Sequence, residues 1–431
     1  MRVLLLNAPW THPYHSGLAV PSLVAFLRRA GVEVSQRDVS IEAFNALLSP
    51  GYLARCLTSV EEHLAHRPGA LDDSALAFAV RCELAVEQVA GGLSTLRDPA
   101  AYYDPDSLRR AQTTLGWAFD LISAAHCPLR WRDLYWELPG VYQSARKVVA
   151  AAREDSSNPF AEYYEQSLIP SFDGPNPELI GISISLDQMS QLVPALSLAA
   201  ALRKRFPAAH LCAGGIVLSK HENHRDKLLP FFDFFDSIVL FEGETALLRL
   251  AECIDAGQSP VGRVPNLLVR QNGAVVSSGD CHIENVRDLP VPDFTDLDLG
   301  AYLAPAAVLP FGTGRGGCYY GACTFCDTRA GQPGRFRKRE IDLVVNDLRT
   351  LRDRHGAAHF VCTDEALEPS RLEQLCTRLL QEGLHVNWSC WARTTEALTR
   401  RRLDLMHQAG CSIVTYGVES ASPRILAEMR K

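Results

Sequence analysis

Two stretches of the sequence alternate a short apolar run with an amphipathic helical segment, and that rhythm restricts each stretch to a parallel β-sheet covered by helices. The first run, Val-Leu-Leu-Leu-Asn at 3–7, is continuously apolar, as a strand buried on both faces must be. Leu18, Val20, Leu23, Val24 and Leu27 then recur at helical spacing, Gly31 ends the helix, and 32–38 reads as a second strand. The same pattern returns at Pro177, with strands at 179–185, 210–216 and 237–241 and helices at 190–205 and 245–255. Residues 1–39 and 177–257 together predict an α/β, doubly wound, Rossmann-like sheet of five parallel strands in flavodoxin-like order. Ligands of such sheets sit outside the carboxyl ends of the strands, which here are Asn7–Pro9, Ser183–Gln188, Gly214–Gly215 and Glu242–Glu244.

Between these halves, 40–176 is predicted to be a helical insertion. Ser74–Leu96, Ser107–Ala124 and Gly140–Ala152 have helical periodicity, and Trp117, Trp131 and Trp136 read as core aromatics. Residues 258–304 read as a hairpin turning at Asn272-Gly273, followed by a stiff linker, Leu289-Pro290-Val291-Pro292-Asp293. From 305 to 431 four strand–loop–helix units follow, with strands at 307–311, 358–363, 386–391 and 412–416 and helices at 340–355, 370–382, 398–409 and from Pro423. This is the opening of a (β/α) barrel. Closure takes about eight strands in the common case, and the fourth strand would otherwise be an unpaired apolar edge. The expectation is a chain truncated within the barrel, or one completed by another chain.

Charge and composition exclude some classes. A formal charge of −7 with no basic run argues against a nucleic-acid binder held by phosphate contacts. No apolar stretch reaches the roughly 18 residues of a membrane span. The apolar N-terminus stops at Asn7 with no small-residue cleavage site, so it reads as a buried strand rather than a leader. A cytoplasmic protein is expected. Of thirteen cysteines, Cys56, Cys82, Cys212, Cys253, Cys362, Cys376, Cys390 and Cys411 sit singly in apolar segments, as small buried hydrophobes of a reducing compartment do.

One cysteine group is tightly clustered. After the first barrel strand comes Gly314-Arg315-Gly316-Gly317-Cys318-Tyr319-Tyr320-Gly321-Ala322-Cys323-Thr324-Phe325-Cys326, a C-x4-C-x2-C spacing on a glycine-rich loop. Three thiolates there can converge on one iron–sulfur centre and leave one iron of a [4Fe–4S] cluster open. A zinc site would want a fourth ligand; His355 and His359 lie far along the chain, and no second C-x2-C exists. Strand ends with polar groups follow in order: Thr363-Asp364-Glu365, Trp391-Ala392-Arg393 and Gly417-Val418-Glu419-Ser420.

The cysteine loop resembles the signature of the radical S-adenosylmethionine (SAM) superfamily. The commoner spacing there is C-x3-C-x2-C; the longer GCYYGACTFC form is similar to that of many cobalamin-type members. The resemblance implies that Cys318, Cys323 and Cys326 hold a [4Fe–4S] cluster, and that Phe325, Asp364, Arg393, Glu419 and Ser420 contact SAM. The segments LLLNAPW, PELIGISISLDQ, AGGIVLS and FEGE resemble the cobalamin-binding domain that precedes many such barrels. That implies corrin contacts from Pro9, Ser183, Ser185, Gly214, Gly215, Glu242 and Gly243. The D-x-H-x-x-G motif of histidine-ligated cobalamin proteins is absent, as in relatives that place no protein histidine on cobalt. No G-x-G-x-x-G follows the first strand, so a dinucleotide reading has no support. The insertion and the segment LDQMSQLVPALSLAAALRKRFP are similar to proteins that modify ribosomally made peptides.

The expectation that follows is a radical SAM enzyme that cleaves SAM and, with cobalamin, methylates an unactivated carbon of a peptide or natural product. Its implied partners are a small-molecule or peptide substrate and a low-potential electron donor such as flavodoxin or ferredoxin, with neither nucleic acid nor membrane. Two alternatives stay open: the same radical chemistry driving a rearrangement or cyclisation, and a truncated, non-catalytic cluster-binding or partner-binding protein.

Overall fold

A computed structural model describes residues 1–65, 73–132, 135–185 and 189–431. The N-terminal sheet opens with β1 (Arg2–Asn7) and β2 (Glu33–Asp38), parallel and in register from Arg2↔Glu33 to Asn7↔Asp38. The helix Ala19–Arg29 that joins them buries Val20, Val24 and Leu27. The insertion then runs through the helices Val39–Leu47, Pro50–Ala65, Asp73–Arg97 and Pro105–Ala125, and a short antiparallel hairpin of β3 (Arg130–Arg132) and β4 (Tyr135–Glu137). Asp38, Asp98 and Asp104 cap helices within this region by accepting backbone N–H groups. The hairpin was not expected from the helical periodicity. It forms because Trp131 and Trp136 pair across it and both point inward, each at most 3% exposed.

The sheet resumes with β5 (Leu179–Ser183), β6 (His210–Gly214) and β7 (Ser237–Val239), and ends in β8 (Leu267–Gln271) and β9 (Ala274–Ser277). Its order is β2-β1-β5-β6-β7-β8-β9, with the first five strands parallel. The five parallel strands thus have the flavodoxin-like order. The hairpin at Asn272-Gly273 is not a free connector: β8 pairs antiparallel with β7, so the hairpin extends the sheet to seven strands. Without it the buried strand β7 would be an open edge.

Alternate residues of β1 face opposite layers. Val3 and Leu5 pack with Val24, Leu27, Leu247 and Leu250 of the helices Ala19–Arg29 and Glu244–Asp255. Leu4 and Leu6 face the helix Leu192–Arg205 and the insertion in one continuous core, which includes Trp10, Phe44, Phe119 and Trp131. The insertion therefore has no core of its own; it completes one face of the sheet. Trp10 seats it, with its ring 5.2 Å from Phe44 and 4.6 Å from Trp131.

The C-terminal unit is a second parallel sheet, β10 (Val308–Phe311), β13 (His359–Cys362), β14 (Asn387–Arg393) and β15 (Cys411–Gly417), in that order. Between β10 and β13 lies a two-residue ribbon, β11 (Gly314–Arg315) with β12 (Arg337–Lys338). The helices Ile341–His355, Pro369–Gln381 and Arg400–Gln408 bury Leu348, Leu372, Leu375 and Met406 against the outer face of the sheet. On β14, Trp388, Cys390 and Ala392 are buried under these helices, whereas Trp391 on the concave face is 52% exposed. The linker is stapled to the first unit, since Arg28 donates to Asp293 at 2.8 Å and Asp296 at 2.6 Å. All eight singly placed cysteines are buried. Among the described residues, no helix is long and apolar enough to cross a membrane.

The loop leaving β1 carries a pair of histidines whose rings meet edge to face at 4.1 Å. Burial, and then the charge of His12, push His15 down to about 4. The neutral form is favoured on folding, so its stabilising effect is complete above the unfolded value near 6.5 and is lost as pH falls toward 4. Between pH 7.5 and pH 4.5 this costs about 2–3 kcal/mol. Urea unfolding of His15→Gln at those two values should lose that much less stability than wild type; an equal loss in both proteins would refute it.

Candidate functional site

The carboxyl ends of the N-terminal strands face the mouth of the second sheet across a cleft of about 410 Å³. One wall is made by Ser183, Gly214, Gly215, Glu242 and Gly243, the other by Gly312, Gly314, Gly316, Gly317, Asp364 and Glu365. Leu5, Cys212, Val239 and Leu247 form an apolar floor. A pocket of this size with an apolar floor and a few convergent polar groups is the ordinary form of a ligand site.

Gly215 shows why the first wall is so open. Its φ is +130°, and a Cβ there would fall inside the carbonyl oxygen of Ile184. The loops after β5 and β6 therefore touch backbone to backbone at Ile184 and Gly215, and no side chain stands between them there. Burial raises Asp364 above the usual carboxylate range, opposed by donors from the Thr313 hydroxyl, the Thr313 N–H at 2.9 Å and the Gly314 N–H. Arg371 donates to the carbonyl of Thr313 at 3.0 Å, so the turn after β10 is also tied to the helix Pro369–Gln381. Thr313→Val keeps the shape and removes the hydroxyl donor to a buried carboxylate. A loss of about 1–3 kcal/mol is expected, measured by urea unfolding at pH 7; a change within a few tenths would show that the hydroxyl contributes nothing.

Deeper in the cleft, Arg339 donates to Asp347 at 3.0 Å and to the linker carbonyls of Val286 and Leu289. Burial still raises Asp347 to about 6 against the pull of that guanidinium.

The cysteine loop leaves this wall directly. Gly316 and Gly317 line the cleft; Cys318 and Cys323 are half-buried and Cys326 is exposed, and none is in a disulfide. Cys326 N–H donates to Cys323 O at 3.3 Å, and the Cys326 sulfur lies 3.2 Å from the Thr328 hydroxyl. Among the described residues no three His, Cys, Asp or Glu side chains converge closely enough to hold one metal ion. A [4Fe–4S] cluster makes a different demand: each thiolate takes its own iron, so its ligands stand further apart than those of a single ion. Three free soft donors on one glycine-rich loop beside a cleft fit that group.

The remaining sequence-derived residues divide. Arg393 lies over the ring of Tyr320 with its guanidinium carbon 3.3 Å from the centroid, so it braces the cysteine loop. Phe325 is 48% exposed, with Lys431 Nζ 5.9 Å above its ring. Glu419 is held at φ +61° and accepts from Lys431 at 3.2 Å, while the Ser420 hydroxyl accepts from the Ser422 N–H at 3.1 Å. Neither Glu419 nor Ser420 lines the cleft. Ser185 lines a separate narrow crevice with Asn7 and Asp38, and Pro9 is buried beside Trp10 and lines neither. Pro9 and Ser185 are therefore displaced from the expected set, because their loops turn toward the insertion and β2. Leu186, Asp187 and Gln188 of the same expected strand end lie outside the described residues. The Glu242 carboxylate is engaged by Arg337 and accepts the Glu284 N–H at 2.6 Å. Its carboxylate is thus engaged by protein partners while the residue still lines the cleft. Arg315, Arg337 and Thr313 were not found from the sequence, since their partners lie far away along the chain; Arg339 was missed too, because the linker carbonyls it holds are 53 and 50 residues before it.

Residues 315–431 match the radical SAM superfamily. The C-terminal unit is a radical SAM domain. An uncharacterised methyltransferase of Pyrococcus horikoshii is 30% identical over 197 residues, 44% of this chain and 42% of its own length. The match thus spans less than half of that curated relative. Among solved structures, the radical SAM methyltransferase TsrM from Kitasatospora setae, with tryptophan substrate and a SAM analog bound, superposes with a TM-score of 0.58 at 16% identity, covering 100% of this chain and 61% of that one. The cobalamin-dependent SAM radical enzyme OxsB, with aqua-cobalamin and SAM bound, gives 0.54 at 16% identity, covering 99% and 45%. These likenesses establish a shared fold, with a parallel α/β unit preceding the radical SAM domain.

Proposed function

We propose that the chain acts as a cobalamin-dependent radical SAM methyltransferase on a small molecule or peptide. The observation that carries this reading is the shared cleft: the ligand end of a flavodoxin-order sheet and the cysteine-loop mouth of a radical SAM domain open onto the same space. The methyltransferase names of the Pyrococcus horikoshii relative and of TsrM support the reaction type.

Cys318, Cys323 and Cys326 would hold the cluster, and the glycine-bearing turns after β6 and β7, beside Ser183 at the end of β5, would receive the corrin. The cofactors supply the radical and methyl-transfer chemistry; the protein binds, orients and excludes water. Gly214 and Gly215 put no side chains on their part of the first wall, so a flat macrocycle can approach the backbone there. Leu5, Val239 and Leu247 present an apolar floor that keeps water away from what binds there. Asp364, desolvated and fed by three donors, is held rigid at the domain mouth, where it can accept a hydrogen bond from a bound ligand's hydroxyl or ammonium.

The test is anaerobic reconstitution of the full-length protein with iron, sulfide and hydroxocobalamin, followed by reduction with SAM carrying a labelled methyl group. Corrin absorbance in the desalted protein and SAM turnover to 5′-deoxyadenosine or S-adenosylhomocysteine are expected. An intact cluster with no turnover of SAM would overturn the reaction class. Turnover without retained corrin would favour a rearrangement or cyclisation over methyl transfer.

A further inference from the structure

The ribbon β11–β12 closes the base of the cysteine loop, and it carries an electrostatic problem. Arg315 and Arg337 stand directly opposite each other across it. Like charges so placed repel and would open the ribbon if left alone. The turn after β7 in the N-terminal unit has the converse problem. Glu242 and Glu244 are two residues apart and only 8% and 2% exposed, and buried carboxylates without partners are costly.

The two faults cancel. Arg315 pairs with Glu244 at 2.6 Å, and Arg337 takes Glu242 in a two-pronged contact while donating to the Glu284 carbonyl at 2.6 Å. Glu284 in turn accepts the Thr245 N–H at 2.9 Å, so the same turn is tied back to the connector. Further along the loop Lys220 pairs with Asp327 at 2.6 Å. A Cβ at Gly331 would sit 2.6 Å from the Lys220 nitrogen, so the loop backbone lies directly on the N-terminal unit there. The loop is thus anchored at its base and along its length to the first unit. From its own domain it has the Arg393–Tyr320 stack, the Thr324 N–H bond to the Met429 carbonyl at 2.9 Å and the Tyr320 hydroxyl bond to the Arg430 carbonyl.

We infer that Arg315 and Arg337, through Glu244 and Glu242, are positioning residues: they set where the cysteine loop stands relative to the strand ends of the N-terminal sheet. This deepens the proposed function, on which it rests for its catalytic consequence, because two cofactors held on separate units must be kept in one geometry for a group to pass between them. Bidentate guanidinium contact fixes an angle as well as a distance, which lysine at the same place does not.

The experiment uses the full-length protein with Arg315→Gln, Arg337→Gln and the matching lysine variants. The first reading is backbone hydrogen exchange before any cofactor is added. The two glutamine variants are expected to speed exchange across 314–338 by about tenfold or more while β13 and β14 keep wild-type protection, with the lysine variants between. Wild-type exchange in 314–338 in both glutamine variants would overturn the inference, and so would equal acceleration throughout the domain, which marks general destabilisation. The second reading is made after reconstitution: iron content unchanged, the electron paramagnetic resonance signal of the SAM-bound reduced cluster altered, and methylated product per SAM consumed reduced about tenfold. An unaltered signal with an unaltered product ratio would also overturn it. If wild type consumes no SAM, the functional reading fails by itself, and the exchange arm still decides the clasp.

Discussion

Full-length protein carrying Cys318→Ala, Cys323→Ala or Cys326→Ala should stay nearly colourless after anaerobic loading with iron and sulfide, and its turnover of SAM should fall to background. The reason is ligand count. The loop offers three thiols and no substitute, and a cluster that loses one of three protein ligands is left with two irons open to solvent. The cysteines buried in the cores cannot step in. Burial pushes Cys56, Cys212 and Cys376 up to about 12, so none is a thiolate at neutral pH, and each is enclosed by apolar side chains. Cys376→Ala is therefore the control and should bind as much iron as wild type. Wild-type iron and colour in any of the three loop variants, or loss of both in Cys376→Ala, would refute the assignment.

Gly215→Ala is expected to cost about 3 kcal/mol or more in unfolding free energy, whereas Gly214→Ala should cost under about 1 kcal/mol. The neighbours differ in two ways. Gly215 sits at φ +130°, a conformation that L residues rarely adopt, and its missing side chain is replaced by the carbonyl of Ile184. That carbonyl belongs to a buried backbone whose N–H donates to Gly214 O at 2.8 Å, so it cannot yield without breaking the join between the loops after β5 and β6. A Cβ on Gly214 meets the Val239 carbonyl oxygen at 3.4 Å, an ordinary contact. Urea unfolding of the pair separates them, and equal losses would show that the loop contact is not the constraint. Because both residues line the cleft, Gly215→Ala should also weaken corrin retention, through displacement of the loop rather than through loss of a contacting group.

Much of the architecture was legible because burial writes itself into residue choice. A strand covered on both faces is apolar at every position, so Val3–Leu6 and Leu179–Ile182 announced parallel strands. Helices covering one face showed their period, as in Leu18 to Leu27. The eight scattered cysteines behaved as buried hydrophobes for the same reason. The small hairpin β3–β4 escaped notice because each strand is three residues long, too short for an alternating pattern to register.

The site was legible only in part. Ser183, Gly214, Gly215, Gly243 and Asp364 meet in one cleft because the rule that ligands gather at strand carboxyl ends depends on topology alone. Pro9 and Ser185 obeyed the rule in sequence and left the cleft in space, since side-chain direction after a strand is set by the next loop's packing. Glu242 lines the cleft and is also half of an ion pair that the sequence did not mark. Its partner, Arg337, lies 95 residues away, and no local pattern marks a charge whose counterion is that distant.

What the sequence by itself determined was the rhythm of two parallel sheets and a three-cysteine loop, because apolar periodicity and ligand spacing are local properties. What only the tertiary structure decided was how those parts face each other: the hairpin closing the first sheet, the shared cleft, and the arginine–glutamate clasp at the base of the cysteine loop. These rest on contacts between residues tens to hundreds of positions apart, where each group's energy depends on a neighbour that its own surroundings in the chain do not specify.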